Sequence, residues 1–135
     1  MDDTATKTVL VIDDDDDVLF LVEHALKRLG FHAVCAADGM QGLELYRQGI
    51  EAGAPYAAVI MDLNLPGSMG ARELIVPLLA MDPAAKAFVT SGYPDDPCLT
   101  NYHAHGFCGA LAKPITYKTL AETVVPALQG DTSDT

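Results

Sequence analysis

Apolar and polar positions alternate in two periods along this chain. Val9-Leu10-Val11-Ile12 is an unbroken apolar run, rich in β-branched residues, and it predicts a strand, Thr8 to Ile12, buried on both faces. Val18, Leu21, Val22, Ala25, Leu26 and Leu29 then recur at helical spacing, with Glu23, His24, Lys27 and Arg28 opposite. That predicts a first helix, with Asp16 or Asp17 available to cap it and Gly30 to end it. Phe31 to Cys35 reads as a second strand, Asp38-Gly39 as a turn or cap, and Met40 to Gln48 as a helix with Met40, Leu43 and Tyr46 inward. A loop, Gly49 to Pro55, precedes a third buried strand, Tyr56 to Met61.

Leu65 to Gly70 reads as a flexible loop and Ala71 to Ala80 as a third helix, which Pro77 should kink or end early. Lys86 to Thr90 predicts a fourth strand. Asp96-Pro97 opens a fourth helix that runs to about His105 and stops at Gly106. Gly109 to Ala112 is a fifth strand, and Thr116 caps a last helix carrying Tyr117, Leu120, Ala121, Val124 and Leu128 on one face, with Pro126 near its end. Strand and helix alternate five times. Short strands joined through helices require right-handed crossovers and a parallel sheet covered on both sides, a doubly wound α/β fold. Residues 1–7 read as a frayed lead-in and 130–135 as a polar tail.

The polar residues that interrupt this pattern fall at strand ends. Asp13-Asp14 follow the first strand, Asp62 the third, Ser91 the fourth and Lys113 the fifth. In a doubly wound sheet these ends share one edge, where ligands bind. Two carboxylates 4 Å apart repel by about 4 kcal/mol at an effective dielectric near 20, so the cluster needs positive charge. Carboxylate oxygens suit a hard cation, above all Mg²⁺. Asp15, Asp16 and Asp17 read as solvated or capping charges. A calcium loop is excluded, because Val18 stands where glycine is needed and His24 where a bidentate glutamate is needed.

Composition narrows the function classes. The chain has 135 residues, half of them apolar, enough for one domain with one core. A net charge of -11 argues against a nucleic-acid surface. No run approaches the ~18 apolar residues of a membrane span and no signal peptide opens the chain, so a cytoplasmic location is expected. Cys35, Cys98 and Cys108 read as buried thiols rather than a disulfide framework. His103 and His105 do not share a helix face, and His24 and His32 read as surface groups.

VLVIDDD, AAVIMDLNLPG, TSGY and LAKP resemble, in order and at typical separations, the signatures of the response-regulator receiver domains of two-component signalling. PGSMGA, SGYPDDP and HGFCGALAKP are similar to receivers of hybrid sensor histidine kinases. The resemblance implies a receiver domain over 8–129 and a flavodoxin-like strand order 2-1-3-4-5. It implies that Asp62 is the phosphoacceptor, that Asp13 and Asp14 hold Mg²⁺ (or Mn²⁺) with Asp62, and that Asn64 adds a backbone carbonyl. It implies that Ser91 bonds the phosphoryl group, that Lys113 pairs with it, and that the Lys113-Pro114 peptide is cis. Ala110 departs from the pattern: many relatives carry Tyr or Phe there as a rotamer switch. Tyr93 is the candidate to gate the phosphoryl group instead.

The expected partner is a sensor histidine kinase or histidine phosphotransfer protein, within a phosphorelay, with output through the fourth helix, fifth strand and fifth helix. Monomer and weak homodimer both fit. The chain is expected to be a single-domain regulator or the receiver piece of a hybrid kinase, and a self-phosphorylating signalling domain rather than a turnover enzyme. One alternative is a Mg²⁺-dependent phosphatase with an aspartyl nucleophile, whose D-x-D-x-[TV] pattern is met here by two aspartates but ends on Asp17. Another is a pseudo-receiver that only binds proteins.

Overall fold

The computed structural model describes residues 7–65 and 69–129. The readings of residues 1–6 and 130–135, and of the middle of the Leu65 to Gly70 loop, lie outside the described residues. Strands β1 (Thr8–Ile12), β2 (His32–Ala36), β3 (Ala58–Asp62), β4 (Ala87–Ser91) and β5 (Gly109–Ala112) alternate with helices α1 (Asp16–Arg28), α2 (Gly39–Glu51), α3 (Ala71–Met81), α4 (Pro97–Thr100) and α5 (Tyr117–Gln129). All strand pairs are parallel, in the order β2-β1-β3-β4-β5. The doubly wound, flavodoxin-like architecture is the expected one.

Period-two alternation sends strand residues to two cores. Leu10, Ile12, Val59, Met61 and Val89 pack beneath α2, α3 and α4, with Tyr46, Leu74, Leu78 and Cys98. Val9, Val11, Ile60, Phe88 and Leu111 pack beneath α1 and α5, with Val22, Leu26, Leu120 and Val124. At the N-terminal edge of the sheet, Lys7 Nζ donates to the Leu128 carbonyl at 3.2 Å and Lys86 Nζ to the Ala127 carbonyl at 3.0 Å. Two ammoniums thus meet the negative end of α5. The Lys7 carbonyl also accepts the His32 N–H at 2.9 Å, so Lys7 is tied to β2 although β1 begins only at Thr8.

Several helices differ from the pattern's prediction. Leu21 is 58% exposed, because Val22, Ala25 and Leu26 occupy the face of α1 that meets the sheet. Met40 is 63% exposed. The inward face of α2 is Gly39, Gly42 and Tyr46, where a Cβ on Gly42 would strike the Ile12 side chain and one on Gly39 the Met69 carbonyl. Glycine lets the helix approach the sheet that closely, which turns the larger Met40 outward. The same helix continues through Gly49 to Glu51, and β3 begins at Ala58, leaving Tyr56 to stack on Tyr46 with ring centroids 5.8 Å apart.

Pro77 does not end α3, which runs to Met81. Burial of Leu74, Ile75 and Leu78 holds the helix across the lost hydrogen bond. The fourth helix is not continuous to His105. It closes after one turn, Asn101 leaves the helical region at φ -132, ψ 50, and a 3₁₀ turn covers Tyr102–His105 before Gly106, at φ 95, ends it. Thr116 Oγ1 accepts the Thr119 N–H at 3.1 Å, as a cap for α5 should. Tyr117 is 41% exposed, its ring under the Arg28 guanidinium at 4.5 Å, rather than on the buried face. Of the three cysteines only Cys98 is buried, and none is in a disulfide.

Candidate functional site

Strand register builds the site. Ile12 pairs with Met61 and Asp62 with Thr90, so Asp13 and Asp62 leave neighbouring strands at the same level. Ser91 pairs with Ala112, and the Lys113 N–H donates to the Ser91 carbonyl at 2.8 Å. The four strand ends therefore deliver two aspartates, a serine and a lysine to one edge.

Asp13 and Asp62 are buried, and Lys113 lies between them. Its Nζ is 2.9 Å from Asp13 Oδ2 and 3.1 Å from Asp62 Oδ2. Each carboxylate uses its other oxygen on a backbone donor: the Asp15 N–H reaches Asp13 Oδ1 at 2.9 Å and the Asn64 N–H reaches Asp62 Oδ1 at 3.2 Å. Two buried anions thus share one ammonium. Burial raises the Asp62 pKa above the usual carboxylate value; the Asn64 N–H opposes this, Asp13 adds to it, and Lys113 opposes it again. Burial pulls the Lys113 pKa down, but its bonds to Asp13 and Asp62 outweigh that and leave it raised.

Asp14 is exposed and completes a cluster in which Asp13, Asp14 and Asp62 offer carboxylate oxygens within 4.8 Å of one another. Three hard oxygen donors, two buried and one open to water, fit a small divalent cation that keeps part of its hydration shell. Asn64 is exposed two residues after Asp62. Asp15, rather than Asp16 or Asp17, caps α1, accepting from the Asp17 and Val18 amides. The first turn thereby consumes one carboxylate and leaves the pair before it for the site.

Ser91 is fully buried and its Oγ accepts the Tyr93 N–H at 3.0 Å. Tyr93 is 68% exposed and Ala110 is half-buried on β5. The Lys113-Pro114 peptide is cis. Gly70 sits where a Cβ would strike the Leu63 carbonyl, so the segment after Asp62 packs directly on its own return path.

A model of the response regulator receiver domain matches residues 9–125. The chain belongs to the response regulator receiver family. This receiver is 32% identical over 126 residues to the sensor kinase CckA of Brucella abortus, a match covering 93% of this chain and 13% of that protein. The chain thus spans a small part of that relative's length. Its fold is that of a CheY-like receiver domain protein from Methanospirillum hungatei JF-1, with a TM-score of 0.82 at 21% identity over 97% of this chain and all of the other. It is also that of the receiver domain of sensor histidine kinase PA1611 from Pseudomonas aeruginosa PAO1, solved with a magnesium ion in its active site cleft. There the TM-score is 0.75 at 21% identity, covering 93% and 96% of the two chains.

Two features of this receiver escaped the sequence pattern. One is the exposed pair Phe20 and Leu21, each 58% exposed on α1. Leu21 borders a groove of about 380 Å³ with Pro114, Ile115 and Tyr117, which continues into a smaller hollow lined by Lys113. The other is Arg72, in the first turn of α3, which pairs with Asp96, the N-cap of α4. Among the described residues no helix is long and apolar enough to cross a membrane.

Proposed function

We propose that this receiver takes a phosphoryl group from a phosphohistidine on a partner protein onto Asp62. The observation that carries the reading is Lys113 held between Asp13 and Asp62, beside a third carboxylate, at the strand edge where ligands bind. Asp13, Asp14 and Asp62, with the Asn64 carbonyl, would hold Mg²⁺, which when bound neutralises charge on phosphoryl oxygens. An Asp62 oxygen attacks phosphorus, the nitrogen–phosphorus bond breaks, and the imidazole nitrogen keeps the electron pair. Burial makes the Asp62 carboxylate less hydrated and more basic, which favours attack. Lys113 is positioned to follow the charge from carboxylate to phosphoryl oxygen. Ser91 can donate its hydroxyl proton to that group, and Tyr93, exposed just beyond it, gates the approach of water.

The test is incubation with acetyl phosphate, followed by intact mass. One phosphoryl group is expected with Mg²⁺ present and none after chelation. Mass gain independent of divalent cation would contradict the assignment of the carboxylate cluster.

The partner's docking face is read from the same neighbourhood. The groove beside Leu21 shares Leu21, Pro114 and Ile115 with a hollow that Lys113 lines, and Lys113 bonds Asp62, which supports seating the partner there with its phosphohistidine toward Asp62. Leu21→Glu is expected to slow transfer from the partner kinase at least tenfold, while leaving the rate from acetyl phosphate within twofold, on the order expected for burying a charge at an apolar interface. Equal losses with both donors would place Leu21 outside the docking face.

A further inference from the structure

The segment between β4 and α4 is tied back to α3 by a continuous run of bonds. Ser91 Oγ accepts the Tyr93 N–H at 3.0 Å, and the Tyr93 carbonyl accepts the Asp96 N–H at 3.0 Å. Asp96 Oδ1 then accepts both the Cys98 N–H at 2.9 Å and an Arg72 guanidinium N–H at 3.3 Å. Arg72 is the second residue of α3, the helix that follows the Asp62 loop. The first turn of α3 and the segment leaving Ser91 are thus joined, away from the strand edge, by an ion pair.

The helix that Asp96 caps is four residues long. One turn cannot offset its own nucleation cost, so its form depends on the cap and on packing of Cys98 and Leu99. Asp96 is both that cap and the partner of Arg72. Any shift of the Ser91–Asp96 segment therefore moves the cap and the ion pair together. On β5 the half-buried Ala110 carries no side chain long enough to transmit such a shift.

We propose that Arg72 and Asp96 form a latch that holds the β4–α4 segment in its unphosphorylated arrangement, and that Ser91, in turning to a phosphoryl oxygen on Asp62, releases it. The inference rests on Asp62 being the acceptor. A phosphoryl oxygen is a charged acceptor, stronger than any neutral partner of the Ser91 hydroxyl. Following it loosens the hold of Ser91 on Tyr93 and, through the Tyr93–Asp96 bond, on the carboxylate. Linkage then requires the converse: a receiver whose latch is already broken binds the phosphoryl group more tightly.

Trifluoroberyllate with Mg²⁺, a phosphoryl mimic, supplies the probe, with affinity measured by calorimetry. Arg72→Gln and Asp96→Asn are compared with wild type; asparagine keeps the helix cap and removes only the charge. Both variants are expected to bind on the order of two- to fivefold more tightly, the range of a partly exposed ion pair. In the unliganded variants the Cys98 and Leu99 amides are expected to exchange faster than in wild type. Unchanged or weaker binding in either variant overturns the latch, because a latch needs both partners. Absence of binding in the wild type instead overturns the acceptor reading, and the latch with it.

Discussion

Lys113→Met is expected to lower the stability of this receiver by about 3 kcal/mol at neutral pH and to abolish phosphoryl acceptance. Methionine fills nearly the same volume but leaves Asp13 and Asp62, both buried, with no cation between them. Removing one member of a buried charge group costs more than the group contributes, because the remaining charges stay desolvated. The backbone amides of Asp15 and Asn64 offset part of that loss. Urea denaturation, with the midpoint converted to free energy, measures it. The pH dependence separates this cause from a packing defect. The raised Lys113 pKa contributes stability that is complete below the ordinary lysine value and is lost as pH rises through the folded value. Wild type is therefore expected to weaken in strongly alkaline solution, and the variant to lack that step. In the variant Asp62, already raised by burial and now without Lys113 to oppose that, is expected to take up a proton more readily, so its deficit shrinks as pH falls. A variant with the wild-type midpoint at neutral pH would show that the ammonium does not neutralise the pair.

Asp62→Asn is expected to act in the opposite direction on stability. The Asp62 pKa is raised, first by burial and then by the charge of Asp13, so the ionised form is a burden on the fold. A carboxyl group with a raised folded pKa favours the folded state as pH falls and opposes it as pH rises. Asparagine removes the charge and leaves a one-to-one pair between Lys113 and Asp13 at 2.9 Å. A gain of about 1 kcal/mol is expected without divalent cation, since relief of repulsion is partly cancelled by the lost Lys113 contact. Saturating Mg²⁺ is expected to narrow the gap, because the cation stabilises the wild-type carboxylate cluster more than the variant's. Phosphoryl uptake from any donor is expected to vanish. Loss of stability in the variant would mean that Asp62 serves the fold rather than being tolerated by it.

The fold was legible because its strands are continuous apolar runs bounded by turns, and because polar residues fall where those runs stop. Asp13, Asp62, Ser91 and Lys113 fall on one edge by pattern alone, since a parallel sheet aligns the C-terminal ends of its strands. Periodicity failed where backbone proximity, not side-chain polarity, chooses the face. Gly39 and Gly42 bring α2 onto Ile12 and the loop before α3, and Met40 is displaced to solvent although it is the more apolar residue. Leu21 fits the spacing of α1 but sits at the margin of the buried stripe, beside Ile115 and Pro114 instead of the sheet. The fourth helix is shorter than its start signal, Asp96-Pro97, and its stop, Gly106, imply, because neither says anything of Asn101 between them, whose backbone leaves the helical region after one turn. Arg72 gave no signal at all: its partner, Asp96, is 24 residues away along the chain and meets it only because α3 and α4 cover the same face.

If this receiver works as proposed, one carboxylate, at position 62, becomes an acyl phosphate. Borohydride reduces an acyl phosphate to an alcohol, so a phosphorylated aspartate is converted to homoserine and can be located by peptide sequencing. After reaction with acetyl phosphate and Mg²⁺, followed by borohydride, homoserine is expected at position 62 and nowhere else. Homoserine at position 13 or 14, or none at all in protein that has gained a phosphoryl group, would contradict the account.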